Sequence, residues 1–329
     1  MGARLQDLFG DASGIEPATP GSYGIPPAGF RLPASTRIRE VTLQVSDLTR
    51  TRAFYTQTLG FRVLAESDTR LTLGALDSET PLIELIENRR APAQHIARRL
   101  GLYHFAILLP TRAALGQFLR HLEHIGARAG ASDHLVSEAL YLQDPDNLGI
   151  EVYADRPRDS WKRRDRELTM ATDPLDGPGL LKAAGDDVWN GMPAGTTIGH
   201  VHLHVGEIES ANRFYSEAIG FDRMVWSYPG ALFLAAGGYH HHLGTNVWAG
   251  PGAKPAMADD PQLLRWTVVV PTRADVASAA DSVHRAGFSI DVTPDGASAD
   301  TRDPWGTALR IESAEREQPG GEWRTGHAS

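Results

Sequence analysis

Residues 41–61, VTLQVSDLTRTRAFYTQTLGF, decide the fold because they recur as VHLHVGEIESANRFYSEAIGF at residues 201–221. The two stretches align without a gap, and Val, Leu, Val, Phe, Tyr, Gly and Phe stand at matching places. Each begins with the alternation of a strand, continues with the periodicity of a helix and ends at a glycine, where helices commonly stop. Identity at fixed spacing is typical of a duplicated structural unit. The sequence therefore predicts a chain of two related halves.

Each copy continues with further strand-like segments, so the repeated unit is β-α-β-β-β. A second pair of units has the same plan, because a strand, a Pro-Thr-Arg turn and a helix follow Tyr103 and again Arg265. Each of these ends in a strand pair joined through an Asp-Pro turn. The pattern predicts an α+β fold of four modules. They lie at about residues 36–90, 100–155, 198–250 and 262–314.

These modules predict two domains of two modules each, residues 36–155 and 198–314. Residues 1–35 are rich in Gly, Pro, Ala and Ser and have no periodicity, which predicts an irregular N-terminal arm. Residues 156–197 form the predicted linker, with one short helix, and residues 315–329 the C-terminal tail. A linker of this length is expected to lie against both halves.

Composition excludes several classes of function. The 329 residues include 41% hydrophobic and 22% charged residues, as in ordinary globular proteins. The net charge of -9 argues against a general nucleic-acid-binding protein. Because there is no cysteine, a metal must be bound by His, Asp, Glu or Tyr. No apolar run has the length of a signal peptide or a membrane span, so we expect a cytoplasmic protein without a membrane partner.

Six of the thirteen histidines lie in residues 198–250. In the predicted strand IGHVHLHV, three alternate histidines from His200 to His204 occupy one face, and aliphatic residues occupy the other. A second cluster follows at residues 240–242. Any one of these histidines alone would more often be a hydrogen-bonded barrel residue than a ligand. Two clusters together favour a metal site, because neutral imidazole is a common ligand of borderline metals.

The four modules, with IGHVHLHV, SDHLVSEALYLQDP and GGYHHHLGTNVWAG, resemble the vicinal oxygen chelate superfamily of glyoxalases and extradiol dioxygenases. The resemblance covers about residues 36–314 and is greatest to two-domain catechol 2,3-dioxygenases. It implies two curved-sheet, glyoxalase-like barrels, each formed by two modules. Ligands in this family come from the first and last strands of paired modules. In this chain the corresponding places hold Glu40, Glu84, His104, Glu151, His200, His242, Arg265 and Arg310.

Charge at these places indicates which modules pair. Arginine cannot bind a cation, so Arg265 and Arg310 exclude the fourth module as a source of ligands from these places. If the second module pairs with the third, the histidine-bearing places share one cavity, and the glutamates of the first module face the arginines of the fourth. We favour this exchanged pairing, although ring-cleaving members of the family usually pair modules within a domain. Pairing of the third and fourth modules would instead form an alternative triad of His200, His242 and Glu312.

Through the resemblance, His104, Glu151 and His200 are expected to bind a metal as a two-histidine, one-carboxylate set. Fe(II) is the expected cofactor, with Mn(II) as the alternative. His242 then falls where extradiol enzymes keep a base that removes a proton from the substrate. The alternation does not fix the register of residues 240–242, and a slip of one residue would exchange which histidine faces the site.

His134 and Tyr141, in DHLVSEALY, resemble the family's substrate-side histidine and tyrosine, which hydrogen-bond the substrate oxygen at the metal. A surface histidine and a core aromatic are the alternative interpretations. The expected function is a non-haem Fe(II)-dependent extradiol dioxygenase in aromatic catabolism, with a small aromatic diol and O2 as substrates. The alternatives are a metal-dependent glyoxalase-type lyase or isomerase, with His242 as a fourth ligand, and a non-catalytic small-molecule-binding protein. The sequence leaves open whether the chain forms a homo-oligomer.

Overall fold

The computed structural model describes residues 4, 14–92 and 98–317. The other residues of the predicted arm, 1–3 and 5–13, and the tail from residue 318 lie outside the described residues. The strands are β1 (Ile15–Pro17), β2 (Arg37–Val45), β3 (Arg62–Glu66), β4 (Arg70–Gly74), β5 (Ile83–Glu87), β6 (Arg99–Leu108), β7 (Gly130–Asp133), β8 (Ser137–Gln143), β9 (Gly149–Asp155), β10 (Lys162–Arg164), β11 (Glu167–Leu168), β12 (Thr197–His204), β13 (Asp222–Val225), β14 (Ala231–Ala235), β15 (Leu243–Asn246), β16 (Lys254–Pro255), β17 (Gln262–Val270), β18 (Ile290–Val292), β19 (Ser298–Arg302) and β20 (Ala308–Ser313).

The helices are α1 (Leu48–Ala53), α2 (Arg112–His124), α3 (Gly177–Ala183), α4 (Ile208–Ala211) and α5 (Arg273–Arg285). Two π-helical segments, Phe54–Thr58 and Asn212–Ala218, continue α1 and α4. Two 3-10 turns lie at Arg158–Ser160 and Ala314–Glu317. Each repeat thus has one strand, one helix and three further strands, and the prediction of an α+β fold with four β-α-β-β-β modules is confirmed.

Side chains in the turns explain where the module helices begin. The Asp47 carboxylate accepts a hydrogen bond from the Arg50 N–H at the start of α1. The repeated Pro-Thr-Arg turn places Thr111 before α2 and Thr272 before α5, and each hydroxyl accepts a bond from the first turn of its helix. Asp275 returns a bond to the backbone of Thr272, which completes a capping box. The repeated sequence therefore encodes repeated helix starts.

The modules pair across the two halves of the chain. One sheet has the order β13-β14-β15-β12-β6-β9-β8-β7, with β16 beside β6, and so joins the third module to the second. The other has the order β18-β19-β20-β17-β2-β5-β4-β3 and joins the fourth module to the first. At each junction the first strands of the two modules run antiparallel, β12 with β6 and β17 with β2. The exchanged pairing is confirmed.

The sheet of the first and fourth modules only partly has the expected ion pairs. Glu40 lies 4.0 Å from the Arg265 guanidinium, as the exchanged pairing predicts. Glu84 instead lies 2.8 Å from Arg70, and Arg310 donates two hydrogen bonds to the Asp300 carboxylate. Those partners lie on the neighbouring strand of the same module, β4 for Glu84 and β19 for Arg310. The expectation that both glutamates pair with the two arginines is therefore corrected: Glu40 lies beside Arg265, whereas Glu84 and Arg310 have other ion-pair partners.

Two buried tyrosines connect the sheets. Tyr55, in the π-helical segment after α1, donates a hydrogen bond to Asp144 of the Asp-Pro turn between β8 and β9. Tyr215, at the matching place in the third module, donates to Asp303 between β19 and β20. Both tyrosines are fully buried. The Phe-Tyr motif of the repeat thus holds the two modules of each half together, although these modules belong to different sheets.

The chain outside the modules packs on their surface. β1 pairs antiparallel with β10, and β10 pairs with β11, so the N-terminal arm and the segment between the halves form one small sheet. Arg31 of the arm donates two hydrogen bonds to Asp222 of the third module. Among the described residues, no helix is both long and apolar enough to cross a membrane.

Candidate metal centre

Three buried side chains converge at the junction of the second and third modules. The Glu151 Oε2 atom lies 3.0 Å from His104 Nε2 and 3.2 Å from His200 Nε2. The two Nε2 atoms are 3.3 Å apart. Among the described residues, this is the group of three or more metal-ligating side chains whose donor atoms all lie within 4.8 Å of one another. The structure therefore brings together the three predicted ligands.

Strand register explains the convergence. Ala106 of β6 is paired with His200 of β12 on one side and with Glu151 of β9 on the other. His104 precedes Ala106 by two residues and so occupies the same face of β6. The methyl group of Ala106 is small enough to leave space above it for the donor atoms. A β-bulge around Gly199 accompanies this register, and a Cβ there would lie 1.8 Å from the Tyr153 hydroxyl.

The donor geometry fits a metal ion. Ligands at right angles around an ion that is about 2.1 Å from each of them lie about 3.0 Å apart. The three observed separations, 3.0, 3.2 and 3.3 Å, match one triangular face of such an octahedron. Two imidazoles and one carboxylate on one face suit Fe(II) or Mn(II) and leave the opposite face open. The residues present therefore fit the metal that the sequence indicates.

The charge state of this cluster also suits a cation. Burial alone would favour the neutral acid, but the neighbouring imidazoles of His200 and His104 hold the pKa of Glu151 well below its usual value. Burial lowers the pKa of His200 to about 4, although the Glu151 carboxylate acts in the opposite direction. At neutral pH the cluster is therefore an ionised carboxylate with a neutral imidazole at His200, which is the form that binds metal.

His134 and Tyr141 lie beside the three candidate ligands. Tyr141 of β8 is paired with Glu151 of β9, and its ring centroid is 5.7 Å from that of His104. His134 Nε2 lies 2.5 Å from the Tyr141 hydroxyl, and its Nδ1 lies 2.6 Å from the Ala171 carbonyl oxygen. Because a carbonyl only accepts, Nδ1 carries the proton and Nε2 accepts from the tyrosine. Burial, then the charge of Glu151, raises the pKa of Tyr141 well above its usual value, so it remains a hydroxyl donor.

The histidine cluster at residues 240–242 does not have the regular alternation of a strand. β14 ends at Ala235 and β15 begins at Leu243, with Gly237 and Gly238 at positive φ between them. His242 points away from the three candidate ligands: its Nδ1 accepts the Ala236 N–H, and the ring lines a separate cavity. Burial lowers its pKa to about 3. The expectation that His242 shares the cavity with the ligands is therefore corrected.

His241 occupies the place that the sequence suggested for His242. Its ring centroid is 4.1 Å from that of His200, and it lines the same cavity as Glu151, Tyr141 and His134. Burial, followed by the charges of neighbouring histidines, lowers its pKa well below the usual value, so the ring is neutral. The slip of one residue that the sequence left open is thus the arrangement in the structure.

Asn246 is a polar residue of the site that the sequence did not indicate. Its amide nitrogen donates to His202 Nε2 at 2.9 Å, and its carbonyl oxygen lies 2.7 Å from His204 Nδ1. Both contacts hold histidines of β12 that are not in the ligand cluster. The register of β12 and β15 places His204 opposite Asn246, and this register could have indicated that Asn246 supports the histidines of β12.

The alternative triad of His200, His242 and Glu312 is not assembled. Glu312 belongs to β20 in the other sheet, where it lies 3.7 Å from the Arg39 guanidinium. It lies in the sheet of the first and fourth modules, because the exchanged pairing places β20 and β12 in different sheets. Within the part of the chain that the structure describes, the His-Glu-His group lies between the second and third modules.

The cavity above the ligands has a volume of about 660 Å³ and aromatic walls. Tyr103 and Trp248 stand at its mouth, with ring centroids 5.7 Å apart and exposed fractions of 42% and 43%. Phe233 and Tyr228 line the interior, with ring centroids 5.8 Å apart. Such walls favour a flat, apolar ring whose polar atoms reach the metal ligands at the base.

Comparison with known proteins identifies the family. Residues 37–152 and 197–311 match the model of the Glyoxalase/Bleomycin resistance protein/Dioxygenase superfamily. The chain belongs to this superfamily. It is 45% identical over 261 residues to a protein of Bacillus subtilis (strain 168) named catechol-2,3-dioxygenase. This alignment covers 78% of this chain and 91% of the relative.

Two solved structures share the fold of this chain. A structure from Bacillus subtilis subsp. subtilis str. 168 has a TM-score of 0.59 at 14% identity, with 86% of each chain covered. Glyoxalase I from Zea mays has a TM-score of 0.51 at 18% identity, with 85% of this chain and 92% of that chain covered. At these identities the likeness concerns the fold alone. The predicted membership of the vicinal oxygen chelate superfamily is confirmed by the family match.

Proposed function

We propose that this protein is a non-haem Fe(II)-dependent extradiol dioxygenase that cleaves the ring of a small catechol-like diol with O2. The observation that carries the proposal is the compact His104, Glu151 and His200 face, with Nε2 and Oε2 separations of 3.0–3.3 Å, at the base of an aromatic cavity. The 45% identity to a relative named catechol-2,3-dioxygenase supports the same reaction. Mn(II) is the alternative metal, because it accepts the same ligands.

Three protein ligands suit this chemistry better than four. Bound Fe(II) would offer open positions to both oxygens of a diol and to O2, and would acidify the diol oxygens. A glyoxalase-type lyase or isomerase would use the fourth family place, which is His242 here. His242 lies in another cavity, so the four-ligand site is not formed by the described residues. A non-catalytic binding protein would not need the buried, charged ligand cluster, which is costly to desolvate.

The residues around the cavity have separate roles in this proposal. The aromatic walls hold the ring and exclude water from the base of the cavity. The Tyr141 hydroxyl lies on the Glu151 side, where its oxygen accepts a hydrogen bond from a hydroxyl of the bound diol, and His134 orients Tyr141 by accepting its hydrogen bond at Nε2. His241, on the His200 side, removes a proton from the diol and later returns it. We assign this role to His241 in place of His242 because His241 lines the substrate cavity.

The test is anaerobic reconstitution with Fe(II), followed by addition of catechol and O2 while a yellow ring-opened product is measured. His241→Gln should retain iron and lose about 10²–10⁴-fold in turnover, the usual contribution of a positioned proton-transfer group. His242→Gln is the matched control, since glutamine can accept the Ala236 N–H, and its turnover should change by less than about 3-fold. Absence of O2 uptake by iron-loaded wild type with catechol and its simple substituted forms would refute the proposal. Isomerisation of a hemithioacetal by the Ni(II)- or Zn(II)-loaded protein would support the glyoxalase alternative.

A further inference from the structure

A line of polar contacts leads from the substrate cavity to the partly exposed carboxylate of Asp155 at the end of β9. His241 Nδ1 lies 2.7 Å from His240 Nδ1, and His240 Nε2 lies 2.9 Å from Asp155 Oδ1. His240 is completely buried and His241 is 5% exposed, whereas 30% of the Asp155 side chain is exposed. The sequence indicated no role for Asp155 and left open which of residues 240–242 faces the site, and the function described above uses neither Asp155 nor His240.

The acceptor at the end of this line determines where each proton lies. An ionised carboxylate only accepts hydrogen bonds, so the Nε2 atom of His240 must donate to Asp155. A neutral imidazole has one donor and one acceptor nitrogen, so Nδ1 of His240 is an acceptor. The proton between the two histidines therefore belongs to Nδ1 of His241. The lone pair of His241 is left on Nε2, on the side of the ring away from His240.

We propose, on the basis of the function proposed above, that Asp155 and His240 are positioning residues that hold His241 in its Nδ1–H tautomer. The lone pair on Nε2 then faces the cavity, which His241 lines together with Tyr141 and His134. When the diol reacts, its O–H bond breaks and an N–H bond forms at Nε2. When the N–H bond later breaks, the proton passes to an oxygen of the ring-opened product, and the contact with Asp155 through His240 keeps Nε2 of His241 directed toward the cavity.

Packing keeps this line in one geometry. His240 lies between the rings of Tyr239 and Trp161, with centroid distances of 4.1 and 5.5 Å. The Tyr239 hydroxyl donates a second hydrogen bond, of 3.1 Å, to the same Asp155 oxygen. Glu151 and Asp155 are four residues apart on β9 and so occupy the same face. One strand thus provides both the carboxylate of the ligand cluster and the carboxylate that orients the base.

Asp155→Asn tests the inference because an amide group can donate where the carboxylate only accepts, which would reverse the direction of each hydrogen bond from Asp155 to His241. An asparagine NH2 that donates to His240 Nε2 makes His240 Nδ1 a donor, and His241 then accepts at Nδ1 and carries its proton at Nε2. The tautomer is measured on 15N-histidine-labelled, iron-free protein by two-bond 1H–15N correlation, with His241 assigned through His241→Gln. Wild type should show Nδ1–H at His241, and Asp155→Asn should show Nε2–H.

Kinetics of the iron-loaded variants provide the second readout. Asp155→Asn should lower kcat by about 10–100-fold with KM and iron content unchanged, as is usual for a residue that orients another. Asp159→Asn, the same substitution at an exposed carboxylate outside this line, is the matched control and should change neither the tautomer nor kcat. A wild-type His241 with its proton on Nε2, or an Asp155→Asn spectrum identical to wild type, would overturn the inference. Because the spectra need neither iron nor turnover, failure of the dioxygenase proposal is distinguishable from failure of the tautomer assignment.

Discussion

Replacing Asp144 with asparagine should remove a loss of stability that the wild type undergoes as the pH rises. Asp144 is 5% exposed, and it accepts hydrogen bonds from the Tyr55 hydroxyl and from the backbone N–H groups of Asp146 and Leu148. Burial raises its pKa to about 7, although the backbone donors act in the opposite direction. An asparagine can keep the two backbone bonds with its carbonyl oxygen and place its NH2 group against the Tyr55 oxygen.

The direction of the effect follows from the two pKa values. The folded state keeps the Asp144 proton up to about pH 7, whereas the unfolded chain releases it near pH 3.8. Stability from this group is therefore complete below the unfolded value and is lost as the pH rises through the folded one. A shift of about 3 units corresponds to about 4 kcal/mol in total, of which about 2–3 kcal/mol is lost between pH 5 and pH 8.

The assay is urea unfolding of wild type and Asp144→Asn at pH 5 and pH 8, with the same metal content in both proteins. The stability of the variant relative to wild type should rise by about 2–3 kcal/mol between the two pH values. Contributions from the histidines cancel, because both proteins contain them. Asp68→Asn, at an exposed carboxylate, is the control and should show no such change. If the free energies of unfolding of wild type and Asp144→Asn differ by the same amount at pH 5 and at pH 8, the reasoning is refuted.

Three further predictions concern the candidate metal site. His200→Ala should abolish iron binding, whereas His202→Ala should retain it, because His202 Nε2 accepts a hydrogen bond from Asn246 instead of facing Glu151. Metal analysis after dialysis measures the iron content of both variants. Equal iron content in wild type and His200→Ala would refute the assignment of this metal site. Gly199→Ala should destabilise the fold by about 1–3 kcal/mol in thermal or urea unfolding, because its Cβ would overlap the Tyr153 hydroxyl; unchanged stability would contradict the close approach. Glu40→Gln should leave the iron content at one ion per chain, because the described residues of the first and fourth modules form no group of three metal ligands; a drop in iron would reveal a second site there.

The four modules and their pairing could be predicted from the residues that recur at matching positions of the repeats. The repeated Phe-Tyr motif and Pro-Thr-Arg turn indicated four modules, because each encodes a helix of the same unit. Arginines at places 265 and 310 indicated the exchanged pairing, since a guanidinium cannot share a cation site with the histidines. The convergence of His104, Glu151 and His200 could also be predicted, because side chains alternate regularly between the two faces of a strand. Residues on the first and last strands of a module therefore point to the same face as in the related modules.

Only the tertiary structure decided what occurs where the strands are irregular or where neighbours compete. Residues 239–242 leave the sheet between β14 and β15, so alternation could not say that His241 faces the cavity and His242 another. Glu84 and Arg310 form ion pairs within their own modules, with Arg70 and Asp300 on the neighbouring strands. The contact of Asp155 with His240 joins residues 85 positions apart, from two modules whose pairing brings them together. A one-dimensional pattern specifies the face of a regular strand, whereas the orientation of a loop side chain depends on atoms that only the folded chain places beside it.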